Sequence, residues 1–167
     1  MVEAGRGRKV RAMVASEMHH TLARLAEQYR LVAVYAFGSR ATEMAARAQG
    51  LAPRPGPGTE TGAADGVESD VDIGVLPRSG HRLGPRDRVR LVQAMEDALG
   101  VARVDLVVLP EARPFLAADI VSGELLAVTD PDAEAEYQLY VLRRAGDLAP
   151  FEQERLAGWL DGTLEPR

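Results

Sequence analysis

The chain has no cysteine. That excludes a disulfide framework and any thiolate metal site, and it fits a cytoplasmic protein. No apolar run approaches the roughly 20 residues of a membrane span, and the opening stretch MVEAGRGRKVR lacks the apolar core of a signal peptide. Positive charge is also short. The formal charge of −5 argues against a protein that blankets phosphates, so no direct nucleic-acid binding and no membrane partner are expected. There is no internal repeat. Adjacent His19 and His20 cannot share a helix face, so they do not form the paired ligands of a helical metal site.

What is present suits one soluble domain over residues 1–167, with 46% hydrophobic and 27% charged residues. Arg6 to Arg11 reads as a solvated basic terminus. Val14, Met18, Leu22, Leu25 and Tyr29 make a helical stripe. Leu31–Phe37 (LVAVYAF) reads as a buried strand. Gly38-Ser39 then turns into a helix over Ala41–Gln49. A strand, a small-residue turn and a helix start aim free backbone N–H groups at an anion. Residues 50–68 (GLAPRPGPGTETGAADGVE) carry neither helical nor strand periodicity and read as a flexible insertion.

Asp70–Leu76 is the next expected strand. Side chains two apart share a strand face, so Asp70 and Asp72 stand together while Val71 and Ile73 pack the other way. Paired carboxylates repel, and a divalent cation is the simplest remedy. Pro85 opens a helix to Leu99, with Val89, Val92, Met95 and Leu99 facing inward and Gly100 as its cap. Val104–Leu109 is a third strand. It carries Asp105 on one face with Val107 and Leu109, and Val104, Leu106 and Val108 on the other. A carboxylate within a strand buried on both faces calls for a partner or a function. Pro114 starts a short helix to Ser122, and Leu125–Val128 is an edge strand. Asp130 and Pro131 open a helix to about Gly146, and Pro150 starts a last amphipathic segment with Phe151, Leu156, Trp159 and Leu160. Residues 130–167 form a helical tail. The fold class is α/β (α+β): a small mixed sheet with helices mainly on one face.

A phosphate-gripping turn, a D-x-D strand and a third aspartate together suit two-metal phosphoryl or nucleotidyl transfer. At these residues the sequence resembles a known family. AFGSRA, SDVDIGV and RVDLVVL resemble the motifs of the nucleotidyltransferase superfamily with the DNA polymerase β palm fold. The short chain and its tail, Pro114-Phe115-Leu116 through Tyr137 and Asp147, resemble the minimal nucleotidyltransferase (MNT) antitoxins encoded beside HEPN ribonuclease toxins. The resemblance implies that Gly38 and Ser39 bind the triphosphate of ATP with help from Arg40. It implies that Asp70 and Asp72 hold two Mg²⁺ ions, and that Asp105 is the third ligand and the base. It further implies adenylyl transfer to a tyrosine of a HEPN toxin. The chain departs from its relatives in one respect: the insertion with Arg54, Glu60 and Asp65 separates G-S from D-x-D. Such a loop adds little closure entropy. Two other readings stand beside this one, an antitoxin that acts by binding alone and a small-molecule (aminoglycoside-type) nucleotidyltransferase.

Overall fold

The strand LVAVYAF is rich in β-branched and aromatic residues and free of glycine and proline, and such a segment belongs inside a sheet. In the computed structural model it is an inner strand, β1 (Leu31–Phe37), buried along six of its seven residues. The structure describes residues 17–51 and 70–160, with the side chains of 154 and 156–160 left aside. The basic segment at 6–11, all but the start of the insertion at 50–68 and the last seven residues lie outside the described residues. So do the side chains of Leu156, Trp159 and Leu160.

On one side β1 pairs antiparallel with β2 (Val71–Pro77), from Leu31 opposite Pro77 to Phe37 opposite Asp72. On its other side it pairs antiparallel with β4 (Glu124–Val128). β3 (Val104–Val108) runs parallel to β2, which gives a mixed four-stranded sheet in the order β3-β2-β1-β4. Parallel neighbours need a crossover, and α3 (Pro85–Leu99) provides it.

Two apolar clusters follow from the alternation of side chains along the strands. Val34, Ala36, Val71, Ile73, Val75, Val104 and Val108 meet the larger cluster. There they join α1 (residues 17–28), α2 (Ala41–Ala48) and α3, through Leu22, Met44, Leu91 and Met95. This is the main helical layer. Ala33, Tyr35, Leu76 and Leu109 belong to the smaller cluster, with Ile120 of α4 (Pro114–Val121) and Val141 of α5 (Pro131–Leu160). No described helix is long and apolar enough to cross a membrane.

Two details differ from the expectation. α3 buries Leu91, Met95 and Leu99, an i, i+4, i+8 row, and leaves Val89 59% exposed. The inward stripe is thus rotated from the one expected, because Leu91 offers more apolar area than Val89 at the turn facing the sheet. The expected break between Gly146 and Pro150 is also absent, since α5 continues through both. A proline ring clashes with the carbonyl four residues earlier, and here that residue is Gly146, whose missing side chain lets the backbone shift locally. Elsewhere the local signals act as read. Gly100 caps α3 in the left-handed region at φ 63°, and Asp130 Oδ1 accepts the Ala133 N–H at 3.1 Å to cap α5.

Gly74 sets how closely α4 lies on the sheet. A Cβ there would fall 2.2 Å from Cγ2 of Ile120, itself fully buried. Gly74→Ala is therefore expected to destabilise the protein by about 1–3 kcal/mol, read as a lowered urea midpoint with an unchanged slope. Ile120→Ala in the same chain should recover part of that loss, whereas simple additivity would contradict the close approach.

Candidate active site

Three short segments meet at the end of the sheet where β1 finishes and β2 and β3 begin. β3 is held there by two hydrogen bonds donated from backbone N–H groups. The Val71 N–H donates to the Arg103 carbonyl at 3.0 Å, and the Val104 N–H donates to Oε1 of Glu96 at 3.1 Å. The resulting register places Asp72 beside Asp105 on neighbouring parallel strands. Neighbouring strands lie about 4.8 Å apart, so two carboxylates on the same face at the same level are in direct electrostatic contact. Both belong to the face of the smaller cluster, with Leu76 and Val107 two or four residues along their strands.

Asp72 is half-buried, and its carboxyl is pushed above the usual range. Burial contributes most, followed by the charge of Asp105 and then that of Asp70. Asp105 and Asp70 are exposed. Asp70 lies one step before β2 and level with Arg103, whose Nε is 3.4 Å from Asp70 Oδ2. Among the described residues no three histidine, cysteine or acidic side chains already converge as metal ligands. Asp72 and Asp105 nevertheless fit a divalent cation: they are paired oxygen donors whose mutual repulsion a cation would cancel. Asp70 is near enough to act on Asp72 by charge while one of its oxygens faces Arg103.

The turn beside these carboxylates is built on Gly38. Gly38–Arg40 is a single 3₁₀ turn between β1 and α2, and Gly38 has φ 72°, in the left-handed region. A Cβ at this position would lie 2.4 Å from Asp72 Oδ2. Glycine thus meets two demands, a backbone angle and the close approach of a carboxylate. Gly38 and Ser39 are exposed beside Asp72.

Arg40 behaves differently from its neighbours. It is buried, and its guanidinium donates to both carboxylate oxygens of Glu43, at 2.9 and 3.2 Å. Arg40 and Arg47 hold the Glu43 carboxyl below the usual range, against the effect of its burial. Of the residues implied to contact the triphosphate, Gly38 and Ser39 face solvent and Arg40 is engaged within the protein. Sequence reasoning missed Arg103 and Glu96. The signal for Arg103 was its position two residues before Asp105, which parallel pairing turns into adjacency with Asp70.

Residues 20–132 match the family described as polymerase beta, nucleotidyltransferase, and this span is more than half of the chain. The chain belongs to the polymerase β nucleotidyltransferase family. Among solved structures, this nucleotidyltransferase is similar to a chain of a toxin–antitoxin crystallised with AMP-PNP. The identity there is 24% and the TM-score 0.57, over 85% of this chain and 98% of that one. It is also similar to a chain of the complex between tri-AMPylated Shewanella oneidensis HEPN toxin and MNT antitoxin, with 21% identity and TM-score 0.57, over 87% and 98%. A chain of the MntA–HepT toxin–antitoxin gives 20% identity and TM-score 0.57, over 86% and 97%. At these identities the likeness shows a shared fold. No curated protein matches the chain by sequence.

Proposed function

We propose that this nucleotidyltransferase is an antitoxin that transfers AMP from ATP to a tyrosine hydroxyl of a HEPN ribonuclease toxin and so silences it. The observation that carries the reading is the registered pair Asp72 and Asp105, closed on one side by Gly38. Ion-pairing alone gives like charges no reason to stand level on adjacent strands. The named complexes among the similar structures, one AMPylated and one with an ATP analogue, support the choice of nucleotide and partner.

In this mechanism Asp72, Asp105 and Asp70 would hold two Mg²⁺ ions. Bound there, Mg²⁺ would supply charge neutralisation at the triphosphate and a lowered hydroxyl pKa. The Gly38-Ser39 turn would hold the phosphates through backbone N–H groups and the Ser39 hydroxyl. The tyrosine oxygen forms a bond to the α-phosphorus, and the bond from that phosphorus to the bridging oxygen of the β-phosphate breaks. Pyrophosphate leaves, and Asp105 takes the hydroxyl proton.

The test is to incubate the protein with Mg²⁺, α-labelled ATP and the protein encoded beside it. Label is expected on a tyrosine of that partner, with none when EDTA replaces Mg²⁺. Neutralisation of the partner with no label on either protein would instead establish an antitoxin that acts by contact.

A further inference from the structure

The opposite end of the sheet gathers several arginines. β2 ends at Pro77, five residues past Asp72, roughly 16 Å along the strand. There the loop 78–84 (RSGHRLG) meets the end of α1, the start of α3 and the first turns of α5. It brings Arg78, His81 and Arg82 close to Arg30 and Arg90, among which stand the acids Glu27, Asp87 and Glu136, with Glu111 near Arg82. Arg78 is held by Glu27 and by Thr129 Oγ1, each at 3.3 Å. Arg30 and Arg90 form no ion pair with any described residue, while Arg82 lies close enough to Glu111, which Arg88 holds, for its charge to help lower that carboxyl.

Two cavities share the segment Arg78–His81. One, of about 540 Å³, is lined by Arg30, Glu27 and that segment. The other, of about 640 Å³, has Arg82 at its rim and an apolar wall that includes Val32, Leu76, Pro110 and Tyr137. Both have the volume of a small-ligand site. Neither includes a residue of the carboxylate site.

A second observation singles out Arg30. Among the described residues it is the one non-glycine at positive φ, 52°, while Gly38, Gly50, Gly80 and Gly100 occupy the others. Just past a helix end, glycine is the residue the backbone prefers, and a side chain there is strained. The main-chain duty of Arg30, accepting the Arg78 N–H at 2.8 Å, is one that glycine performs equally well. What glycine lacks is a side chain, and Arg30 is one of the residues that line the first cavity.

Guanidinium groups beside a loop with a serine suit phosphate oxygens. An apolar wall ending in a tyrosine ring suits a flat, weakly polar ring. We propose that this cavity pair is a second site, which binds a nucleoside phosphate. Its phosphate lies between Arg30 and Arg82 over the Arg78–His81 loop, and its base lies against Val32, Leu76 and Tyr137. A free mononucleotide and the end of an RNA strand present this same chemistry.

The experiment titrates the full chain, in EDTA, against two fluorescent probes: labelled AMP and a labelled single-stranded hexaadenylate. Saturable binding of AMP identifies free nucleotide as the source, and saturation by the hexamer alone identifies a strand. Either result supports the site, provided that Arg30→Gly and Arg82→Glu each weaken binding at least tenfold and Asp72→Asn leaves it intact. Arg30→Gly must do so without lowering Tm, because it removes backbone strain. The proposal is overturned if neither probe saturates, or if both variants bind like the wild type. It is equally overturned if poly-glutamate displaces the probe as well as unlabelled AMP does, which would make the surface a general acceptor of acidic partners.

Discussion

Replacing Asp72 with asparagine is expected to lower AMP transfer by about 10³-fold or more while making the protein more resistant to heat. The two effects have one cause. The Asp72 carboxyl is raised above its usual range, first by burial and then by Asp105 and Asp70. In the pH window between the unfolded and folded pKa values the native state binds more protons than the unfolded state, so stability falls as pH rises through it. The ionised carboxylate remains a liability at neutral pH, and asparagine removes it. The gain in Tm should be largest near neutral pH and vanish in acid, where Asp72 is protonated in both states. Mg²⁺ should raise the Tm of the wild type by binding the folded state and should raise that of Asp72→Asn far less. A variant that transfers AMP normally, or whose Tm responds to Mg²⁺ like the wild type, would remove Asp72 from the metal site.

That stability signature depends on a register which the sequence only half specifies. The period of two in VDIGV and VDLVV is enough to place Asp72 and Asp105 on definite strand faces, and β1 can be read residue for residue from LVAVYAF. Proline and glycine punctuation marks α3 from Pro85 to Gly100. The pairing of β2 with β3 is different, because it is fixed by contacts distant in sequence. These include the Val71–Arg103 backbone hydrogen bond and the Glu96 carboxylate at the Val104 N–H. The alignment of Asp70 with Arg103 follows from that pairing, so the ion pair was not legible beforehand. Arg40 illustrates the reverse case, a neighbour close in sequence that the motif alone does not bring to mind. An arginine after G-S invites a phosphate role, but a glutamate three residues on in the same helical turn holds its guanidinium. Pro150 misled for a local reason: its rule assumes that the residue four positions earlier cannot yield, and that residue is Gly146. The arginine cluster at the far end of the sheet was hidden because Arg30, Arg78, Arg82 and Arg90 are brought together only by the packing of α1, α3 and the 78–84 loop.

Gly38→Ala should have the second-largest effect, an activity loss of about 10²-fold against a stability loss of about 1–2 kcal/mol. The stability term is the cost of holding an L-residue at φ 72°. The activity term comes from the new methyl group, 2.4 Å from Asp72 Oδ2, which must push that carboxylate out of line with Asp105. Gly100→Ala separates the two terms. Gly100 has φ 63° and would find nothing within 4 Å of an added Cβ. It should therefore lose comparable stability, seen as a similar shift of the urea midpoint, and keep wild-type transfer at temperatures where both variants are folded. If the two alanine variants were equally active per folded molecule, the contact between Gly38 and Asp72 would be incidental to the chemistry. If Gly38→Ala alone fails, and a higher Mg²⁺ concentration restores part of its rate, then the glycine serves to hold a metal-binding carboxylate in position.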